Sequence, residues 1–186
     1  MIEDAVILVG GKGSRLKKLT KKTPKPLLLI NNRSFLDILI SFIARSKIKR
    51  IYLLSSYKSK QFEKKYHNQF ILSKKIIVIK EEKRSGTGGA LFYLKKYVKK
   101  NFLLFNGDSI VNINLNKFIE FSLKNKNSLI NMLLVKNKYY KSNSQSSSLQ
   151  LNNRYIVRLE KNKLWMNGGM YFINKSLLKK VVKKNF

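Results

Sequence analysis

Short apolar runs alternate with helical patterns along the first two thirds of the chain, and this alternation restricts the possible folds more than any other feature. The runs are Ala5–Val9, Ile51–Leu54, Ile76–Ile79 and Phe102–Phe105. The spacing of apolar residues predicts helices over 34–45, 58–68, 88–99 and 114–124. Strands and helices that alternate at this distance form a mostly parallel sheet covered by helices on both faces. We therefore expect residues 1–186 to form a single α/β domain with three layers.

The helical patterns also predict which side chains face the sheet. The inward residues are Ala90, Leu91, Leu94 and Val98 in the third helix, and Leu115, Phe118, Ile119 and Leu123 in the fourth. Ser34 can cap the first helix, with Asp37 three residues later to return the capping bond. Beyond residue 129 we expect strands only, over 129–135, 155–160 and 169–173, with an exposed loop in the polar tract 142–148.

Length and composition indicate a globular domain inside the cell. The 186 residues suffice for one sizeable core, and no apolar run is long enough to cross a membrane. The acidic N-terminus leads directly into the first strand, unlike a signal peptide. The chain has no cysteine, which excludes a disulfide scaffold and a cysteine nucleophile. We expect a cytoplasmic location, and a homodimer is an open alternative to a monomer.

The formal net charge of +31 would attract any polyanion, including nucleic acid. Lysine pairs such as Lys17-Lys18 and Lys95-Lys96 are nevertheless spread over the whole chain, and arginine is scarce beside lysine. Because no single basic face is evident, we do not expect nucleic acid to be the partner. Only nine acidic residues are present, so each is a candidate for a specific role.

The first strand runs into Gly10-Gly11-Lys12-Gly13-Ser14-Arg15, and Pro24-Lys25-Pro26 follows. Right-handed crossovers bring the loops after parallel strands to one edge of the sheet, where ligands bind. The glycines let backbone amides approach a phosphate, while Arg15 and Lys25 supply cations. Neither a Walker loop nor the dinucleotide fingerprint is present, because Val6 and Leu16 stand where those motifs need glycine. The segment therefore predicts a nucleotide phosphate loop of another kind.

Acidic residues follow two later strands at the same edge. Asp108 ends Asn106-Gly107-Asp108 and could hold Mg²⁺ against phosphate oxygens, or could cap the next helix instead. Glu81 precedes the turn Gly86-Thr87-Gly88-Gly89, whose glycines let a flat ligand approach. A carboxylate here could accept two hydrogen bonds from guanine, whereas uracil and thymine offer one donor on that edge. A solvated surface pair, Glu81-Glu82, is the alternative interpretation.

Two further stretches lie near the end of the chain. Glu160-Lys161 ends a predicted strand, and Asn167-Gly168-Gly169 begins another. An acid for sugar hydroxyls beside a lysine for a phosphate would suit a sugar phosphate, although each residue alone is typical of a protein surface.

Taken in this order, the stretches resemble the sugar-1-phosphate nucleotidyltransferases, most closely the bacterial D-glycero-α-D-manno-heptose 1-phosphate guanylyltransferase branch. The resemblance implies a three-layer, Rossmann-like nucleotidyltransferase fold, with a nucleotide-binding half over residues 1–110 and a sugar-phosphate-binding half over 111–186. It implies that the triphosphate is bound by Gly10, Gly11, Gly13, Ser14, Arg15 and Lys25, the base by Glu81, Gly86, Thr87 and Gly88, Mg²⁺ by Asp108, and the sugar phosphate by Glu160, Lys161, Asn167 and Gly168.

The chain also departs from the pattern of that family. Arg84-Ser85 replaces a common Pro-Leu, and the serine tract covers the position of an Arg-Tyr-Gly sequence. Relatives continue past the equivalent of Phe186 to a second acidic metal ligand. We therefore expect this chain to be short at its C-terminus and to lack that carboxylate.

The resemblance implies an enzyme that joins a sugar 1-phosphate to a nucleoside triphosphate, GTP on the base argument, and releases pyrophosphate, for cell-surface polysaccharide precursors. The attacking phosphate is already ionised and needs no general base, so the lone His67 is expected to be a bystander. Two alternatives stay open. One is a nucleotide- or nucleotide-sugar-binding protein without turnover, and the other is an RNA-binding protein driven by charge.

Overall fold

The computed structural model describes residues 2–82, 86–125, 127–136, 147–152, 155–161 and 165–182. Its strands are β1 (Asp4–Leu8), β2 (Leu29–Ile30), β3 (Arg33–Ser34), β4 (Arg50–Ser55), β5 (Phe70–Ile71), β6 (Lys74–Lys80), β7 (Phe102–Asn106), β8 (Ile130–Lys136), β9 (Ser147–Asn152), β10 (Tyr155–Lys161) and β11 (Trp165–Ile173). Its α-helices are α1 (Leu19–Lys22), α2 (Phe35–Ala44), α3 (Ser59–Tyr66), α4 (Gly86–Ala90), α5 (Leu115–Lys124) and α6 (Ser176–Lys180). Short 3-10 helices cover Ser14–Leu16, Lys25–Leu27 and Leu91–Lys96.

Within the described residues, nine strands form one sheet in the order β10-β9-β11-β7-β1-β4-β6-β5, with β8 beside β11. The central neighbours β7, β1, β4 and β6 are parallel. β11 runs antiparallel to β7 and joins the C-terminal strands to the same sheet. The mixed sheet, with parallel strands at its centre and antiparallel pairings towards both edges, confirms the expected fold class. The boundary between a nucleotide half and a sugar half stays a prediction.

Alternate residues of the central strands fill two cores, one on each face of the sheet. Ile7 of β1 packs with residues of α2, α3 and α5, among them Leu36 and Phe62. Its neighbour Val6 packs on the opposite face with residues of α4, the following 3-10 helix and α6. Strands buried on both faces explain why the sequence shows continuous apolar runs instead of alternation.

The predicted inner faces of the helices are confirmed with one exception. Ala90, Leu91, Leu94 and Val98 are all buried in the second core. In α5, Leu115 is buried, and Phe118 and Ile119 pack against the first core. Leu123 was expected inside but is 42% exposed, and the buried residue of that turn is Ser122. The predicted single helix over 88–99 is also wrong in form, because α4 gives way to a 3-10 helix at Leu91.

The start of α2 shows how the sequence sets a helix boundary. The Ser34 hydroxyl accepts a hydrogen bond from the Asp37 amide at 3.1 Å and donates one to the Asp37 carboxylate at 2.7 Å. The hydroxyl of the buried Tyr66 and the ammonium group of Lys65 also donate to this carboxylate, at 2.8 and 2.9 Å. The predicted cap at Ser34 is confirmed, and it ties α2 to α3.

The C-terminal region differs from the prediction of strands alone, because α6 follows β11. Of the polar tract expected to form a loop, 142–146 lie outside the described residues, while Ser147 and Ser148 begin β9. No α-helix in the described ranges has the length and apolarity needed to cross a membrane.

Candidate active site

A cavity of about 560 Å³ opens at the carboxyl ends of the parallel strands. Loops that follow β1, β6 and β7 line it, as expected for ligand sites in sheets of this kind. Among the predicted site residues, the cavity brings together Gly10, Gly11, Gly13, Ser14, Arg15, Lys25, Glu81, Gly86, Thr87 and Asp108. The sequence prediction that three separate loops meet at one edge is therefore confirmed.

The loop after β1 folds back on itself through one glycine turn. Gly13 has a φ of +63°, a left-handed conformation that glycine adopts without strain, and it begins the 3-10 helix that carries Arg15. The hydroxyl of Thr20, in α1, donates a hydrogen bond to the Gly13 carbonyl at 3.1 Å. The turn and its hydroxyl brace thus orient the exposed segment that holds Arg15 at the cavity.

Lys25 and Asp108 form the central charged contact of the cavity. The Lys25 ammonium group lies 2.7 Å from Asp108 Oδ2, and their side chains are 36% and 39% exposed. The hydroxyl of Ser109 donates to the other carboxylate oxygen at 3.2 Å. A cation is therefore already seated on the carboxylate that the sequence predicts as a metal ligand.

Close backbone packing fixes the position of Asp108. The Gly107 amide donates to the Leu8 carbonyl at 3.0 Å, and a Cβ added at Gly107 would lie 2.5 Å from that same oxygen. From the other side, Gly169 of β11 has a φ of +74° and leaves room for Ser109, whose Cβ would lie 2.8 Å from an added Cβ. Glycines therefore hold the Asp108 loop between β1 and β11.

Glu81 lies deep in the cavity. It is 7% exposed, and its amide donates to the Ser55 carbonyl at 2.8 Å, which continues the pairing of β6 with β4. An added Cβ at Gly10 would lie 2.8 Å from Glu81 Oε1, so the first glycine of the phosphate loop makes room for this carboxylate. Burial disfavours the interpretation of Glu81 as a solvated surface acid, whereas Glu82 is exposed.

The remaining predicted residues lie apart from the cavity or outside the described positions. Gly88 is exposed in α4 and does not line the cavity, although Gly86 and Thr87 do. Gly168 is buried against β8, and the exposed Asn167 bonds to the Tyr171 hydroxyl and to the Gly169 amide. Glu160 and Lys161 belong to β10, but their side chains lie outside what the structure describes.

The donor set allows a limited form of metal binding. Within the described ranges, no group of three or more His, Cys, Asp or Glu side chains could hold a metal ion. Mg²⁺ is commonly bound by one or two carboxylates together with substrate phosphates. Asp108, partly exposed in a cavity that is much larger than a phosphate group, fits that arrangement and does not form a metal site by itself.

Several contributors to the site were missed by the sequence analysis. Asn106 and Lys12 line the cavity, and both stood inside stretches already singled out, so their inclusion could have been predicted. Thr20 and Tyr57 support the phosphate loop through a hydrogen bond from the Tyr57 hydroxyl to the Thr20 carbonyl, at 3.1 Å. No local pattern links two residues 37 positions apart.

Fold and cavity together define an α/β protein whose glycine-rich loop, at the carboxyl ends of the parallel strands, faces an acidic residue. The sequence matches the family described as Nucleotidyl transferase over residues 4–145, and the chain belongs to this family. It is 32% identical, over 93% of its length, to a D-glycero-α-D-manno-heptose 1-phosphate guanylyltransferase of Campylobacter jejuni, of which it covers 76%. These matches confirm the family resemblance inferred from the sequence motifs.

Other relatives agree with this assignment. The chain is 36% identical to a mannose-1-phosphate guanylyltransferase of Mycobacterium tuberculosis over 66% of its own length, and covers 34% of that protein. The crystal structure of HddC from Yersinia pseudotuberculosis complexed with GMP-PN superposes with a TM-score of 0.78 at 28% identity, covering 99% of this chain and 80% of that one. Enzymes of the nucleotidyl transferase family generally use a divalent metal and bind a nucleoside triphosphate.

Proposed function

We propose that the protein is a guanylyltransferase that joins a sugar 1-phosphate, of the heptose type, to GTP and releases pyrophosphate. The product would be a nucleotide sugar for cell-surface polysaccharide synthesis. The observation that carries the proposal is the single cavity that unites the glycine loop, Arg15, Lys25, Glu81 and Asp108. The similarity to heptose 1-phosphate guanylyltransferases of Campylobacter jejuni and Aneurinibacillus thermoaerophilus supports the choice of substrates.

The reaction is a displacement at the α-phosphorus of the nucleotide. A phosphate oxygen of the sugar 1-phosphate forms the new bond to phosphorus, and the bond to the bridging oxygen of the pyrophosphate breaks. No proton needs to be removed, because the attacking oxygen is ionised. The protein therefore acts mainly by positioning the reactants and by offsetting charge. Arg15 and Lys25 would stabilise the negative charge that grows on the departing pyrophosphate.

The Lys25–Asp108 ion pair suggests that the site has two states, one with the pair formed and one with the pair separated by a bound nucleotide. The triphosphate would compete with Asp108 for the Lys25 ammonium group, because three phosphates carry more negative charge than one carboxylate. Asp108 would then be available to hold a divalent cation, which we propose to be Mg²⁺. A bound divalent cation would neutralise charge on the phosphate oxygens.

Glu81 would select the base. A buried carboxylate in the cavity can accept hydrogen bonds from both N1 and N2 of guanine, whereas uracil and thymine offer a single donor. Gly86 and Thr87 would form the adjoining wall, with Gly88 completing the turn. On the sugar side, we propose that Glu160, Lys161, Asn167 and Gly168 contact the sugar phosphate, as the family resemblance implies.

Pyrophosphate release tests the proposal directly. The protein is incubated with Mg²⁺, each of GTP, ATP, CTP, UTP and dTTP, and a panel of hexose and heptose 1-phosphates. We expect release with GTP and a heptose 1-phosphate, and a loss of at least about 100-fold in Asp108→Asn. Glu120→Gln is the matched control, because it removes an exposed acid on α5 and should leave the rate unchanged. The absence of pyrophosphate with every pair of substrates would overturn the catalytic proposal.

The choice of base has its own test. Glu81→Gln should reduce the preference for GTP over UTP and dTTP, because an amide replaces one acceptor by a donor. An unchanged preference would remove the argument for guanine.

Binding without turnover is the second candidate function. It is favoured by one observation, that Asn167 bonds within β11 and that neither it nor Gly168 lines the cavity. This alternative predicts that GTP raises the melting temperature while no sugar 1-phosphate elicits pyrophosphate. We also propose a cytoplasmic location, where nucleoside triphosphates are available, and a homodimer, which light scattering in solution would test.

A further inference from the structure

Three side chains that follow β4 in the sequence donate hydrogen bonds to the phosphate loop, residues 10–26. The Tyr57 hydroxyl donates to the Thr20 carbonyl at 3.1 Å, the Lys58 ammonium group to the Lys22 carbonyl at 3.0 Å, and the Gln61 side-chain amide to the same Lys22 carbonyl at 2.9 Å. Both acceptor carbonyls belong to α1, the four-residue helix between Arg15 and Lys25. We call Tyr57, Lys58 and Gln61 the loop clasp.

The clasp meets a need that α1 cannot meet by itself. The last four carbonyls of a helix have no partner within it, so almost every carbonyl of a single-turn helix must find a donor elsewhere. Side chains at the start of α3 and just before it donate to two of these carbonyls, those of Thr20 and Lys22. The clasp therefore ties α1 to the start of α3, which the hydrogen bonds within α1 cannot do.

Tyr57 contacts the loop at two places. Its backbone amide donates to the Gly10 carbonyl at 3.4 Å, where the loop leaves β1, and its hydroxyl donates to the Thr20 carbonyl in α1. Thr20 in turn donates to the Gly13 carbonyl at 3.1 Å. A continuous chain of hydrogen bonds thus links Tyr57, through Thr20, to the turn that orients Arg15.

The backbone of Lys58 is bent to make its contact. Lys58 has a φ of +53° and a ψ of +39°, a left-handed conformation that costs free energy in a lysine, and it stands at the N-cap of α3. Its ammonium group lies 5.5 Å from the centre of the Tyr57 ring while it donates to Lys22. Asparagine or glycine would adopt this backbone more readily, but neither would reach the loop.

We propose that Tyr57, Lys58 and Gln61 are positioning residues that hold the loop in the shape needed to bind a nucleoside triphosphate. The proposal rests on the proposed function and adds residues outside the cavity to it. The clasp touches neither substrate in this scheme and acts through Thr20 and Lys22. Its loss should weaken binding of the triphosphate and leave the interaction with the sugar 1-phosphate unchanged.

The test measures binding without turnover. Isothermal calorimetry measures the Kd of five nucleotides, GTP, ATP, CTP, UTP and dTTP, with Mg²⁺ and without any sugar phosphate. The nucleotide that binds most tightly is then used to compare the variants. We expect Tyr57→Phe and Lys58→Met each to raise this Kd by about 3- to 10-fold, the size of one lost hydrogen bond. Lys58→Arg, which keeps a donor, should restore most of the affinity.

Two matched controls remove the same groups elsewhere. Tyr97→Phe deletes a hydroxyl on an exposed tyrosine packed beside Tyr52, and Lys60→Met deletes an exposed ammonium group on α3, two residues from Lys58. Both should leave the Kd at the wild-type value. Amide exchange should accelerate over residues 14–22 in the clasp variants and stay unchanged in β4.

A purely structural clasp gives a different pattern of results. Tyr57→Phe and Lys58→Met would then lower the melting temperature without a change in Kd or in exchange over 14–22, and this outcome would overturn the proposal. If the wild-type protein binds none of the five nucleotides, the proposed function itself fails, and the clasp fails with it. The wild-type measurement therefore separates the two failures.

Discussion

Adding a single methyl group at Gly107 should damage both stability and function. Gly107 is buried between β7 and Asp108, and an added Cβ would lie 2.5 Å from the Leu8 carbonyl oxygen and 3.1 Å from Val9 Cγ1. The nearest of these atoms is backbone of the central strand β1, which cannot rotate away. The backbone angles of Gly107 are open to alanine, so the effect would come from lack of space alone.

The size of the effect follows from the packing. Forcing one carbon into a close-packed site costs about 1–3 kcal/mol, which for a chain of this length lowers the melting temperature by about 3–8 °C. The clash would be relieved by moving the 106–109 loop, and Asp108 would move with it. A displacement of about 1 Å at a catalytic group costs about 100-fold in rate. Calorimetry and pyrophosphate release measure the two effects on the same Gly107→Ala sample.

Two other glycines provide matched controls for folding. A Cβ added at Gly11 or Gly88 would have no heavy atom within 4 Å. Gly11→Ala should therefore keep the wild-type melting temperature, and Gly88→Ala, inside α4, should raise stability by about 0.5–1 kcal/mol. If the melting temperature of Gly107→Ala is as high as that of Gly11→Ala and the variant keeps full activity, the inference that Gly107 positions Asp108 is wrong.

Two further predictions concern other parts of the molecule. Burial raises the pKa of Asp37, but hydrogen bonds from Lys65 and from the hydroxyls of Ser34 and Tyr66 outweigh it and hold the pKa below its ordinary value of 3.8. Asp37→Asn should lower the free energy of unfolding by about 1–3 kcal/mol at pH values above about 4. The wild type loses this stability as the pH falls through the folded-state pKa of Asp37. The free energy of unfolding measured in urea should therefore depend less on acid pH in the variant than in the wild type. At Gly169, φ is +74° and an added Cβ would lie 2.8 Å from Ser109, so Gly169→Ala should lower both stability and turnover. Turnover equal to that of the wild type would exclude a role of Gly169 in holding the Asp108 loop.

The sequence predicted the centre of the fold because the central strands are buried on both faces. Continuous apolar runs such as Phe102–Phe105 are unmistakable between helical patterns. Among the missed elements, β2, β5 and α1 have two to four residues and contain no period to detect, while β9 with six residues and α6 with five were missed as well. β2 and β5 form short hairpins with the strands that follow them, whereas α1 receives hydrogen bonds from residues distant in sequence, as the clasp shows.

The error at Leu123 could have been avoided from the sequence. At about 100° per residue, position 122 returns to within about 20° of position 115, whereas position 123 lies about 80° away. The helix geometry therefore buries Ser122 below Leu115 and turns Leu123 outward. The apolar character of Leu123 was given more weight than its place on the helix.

The edge of the sheet that holds the site was predictable, whereas its contacts were not. Parallel strands bring their carboxyl ends together, so the loops of Gly10, Glu81 and Asp108 had to be neighbours. The 2.7 Å contact between Lys25 and Asp108 joins residues 83 positions apart, and no local signal pairs them. His67 has a structural contact, because its Nδ1 accepts a hydrogen bond from the Val78 amide, and its role as a bystander stays a prediction.

The scarcity of acids in a chain of charge +31 bears on how the site works. Glu3, Asp4 and Glu63 accept hydrogen bonds from Lys49, Arg50 and Ser59, away from the cavity, so their charges are used within the fold. Excess lysine elsewhere gives the surface a positive potential that draws polyphosphates at low salt. At the cavity, however, Asp108 offsets the charge of Lys25. In the proposed function, a nucleotide would exchange this ion pair for contacts of its own phosphates, so selectivity for a triphosphate would arise from the pair and not from the net charge.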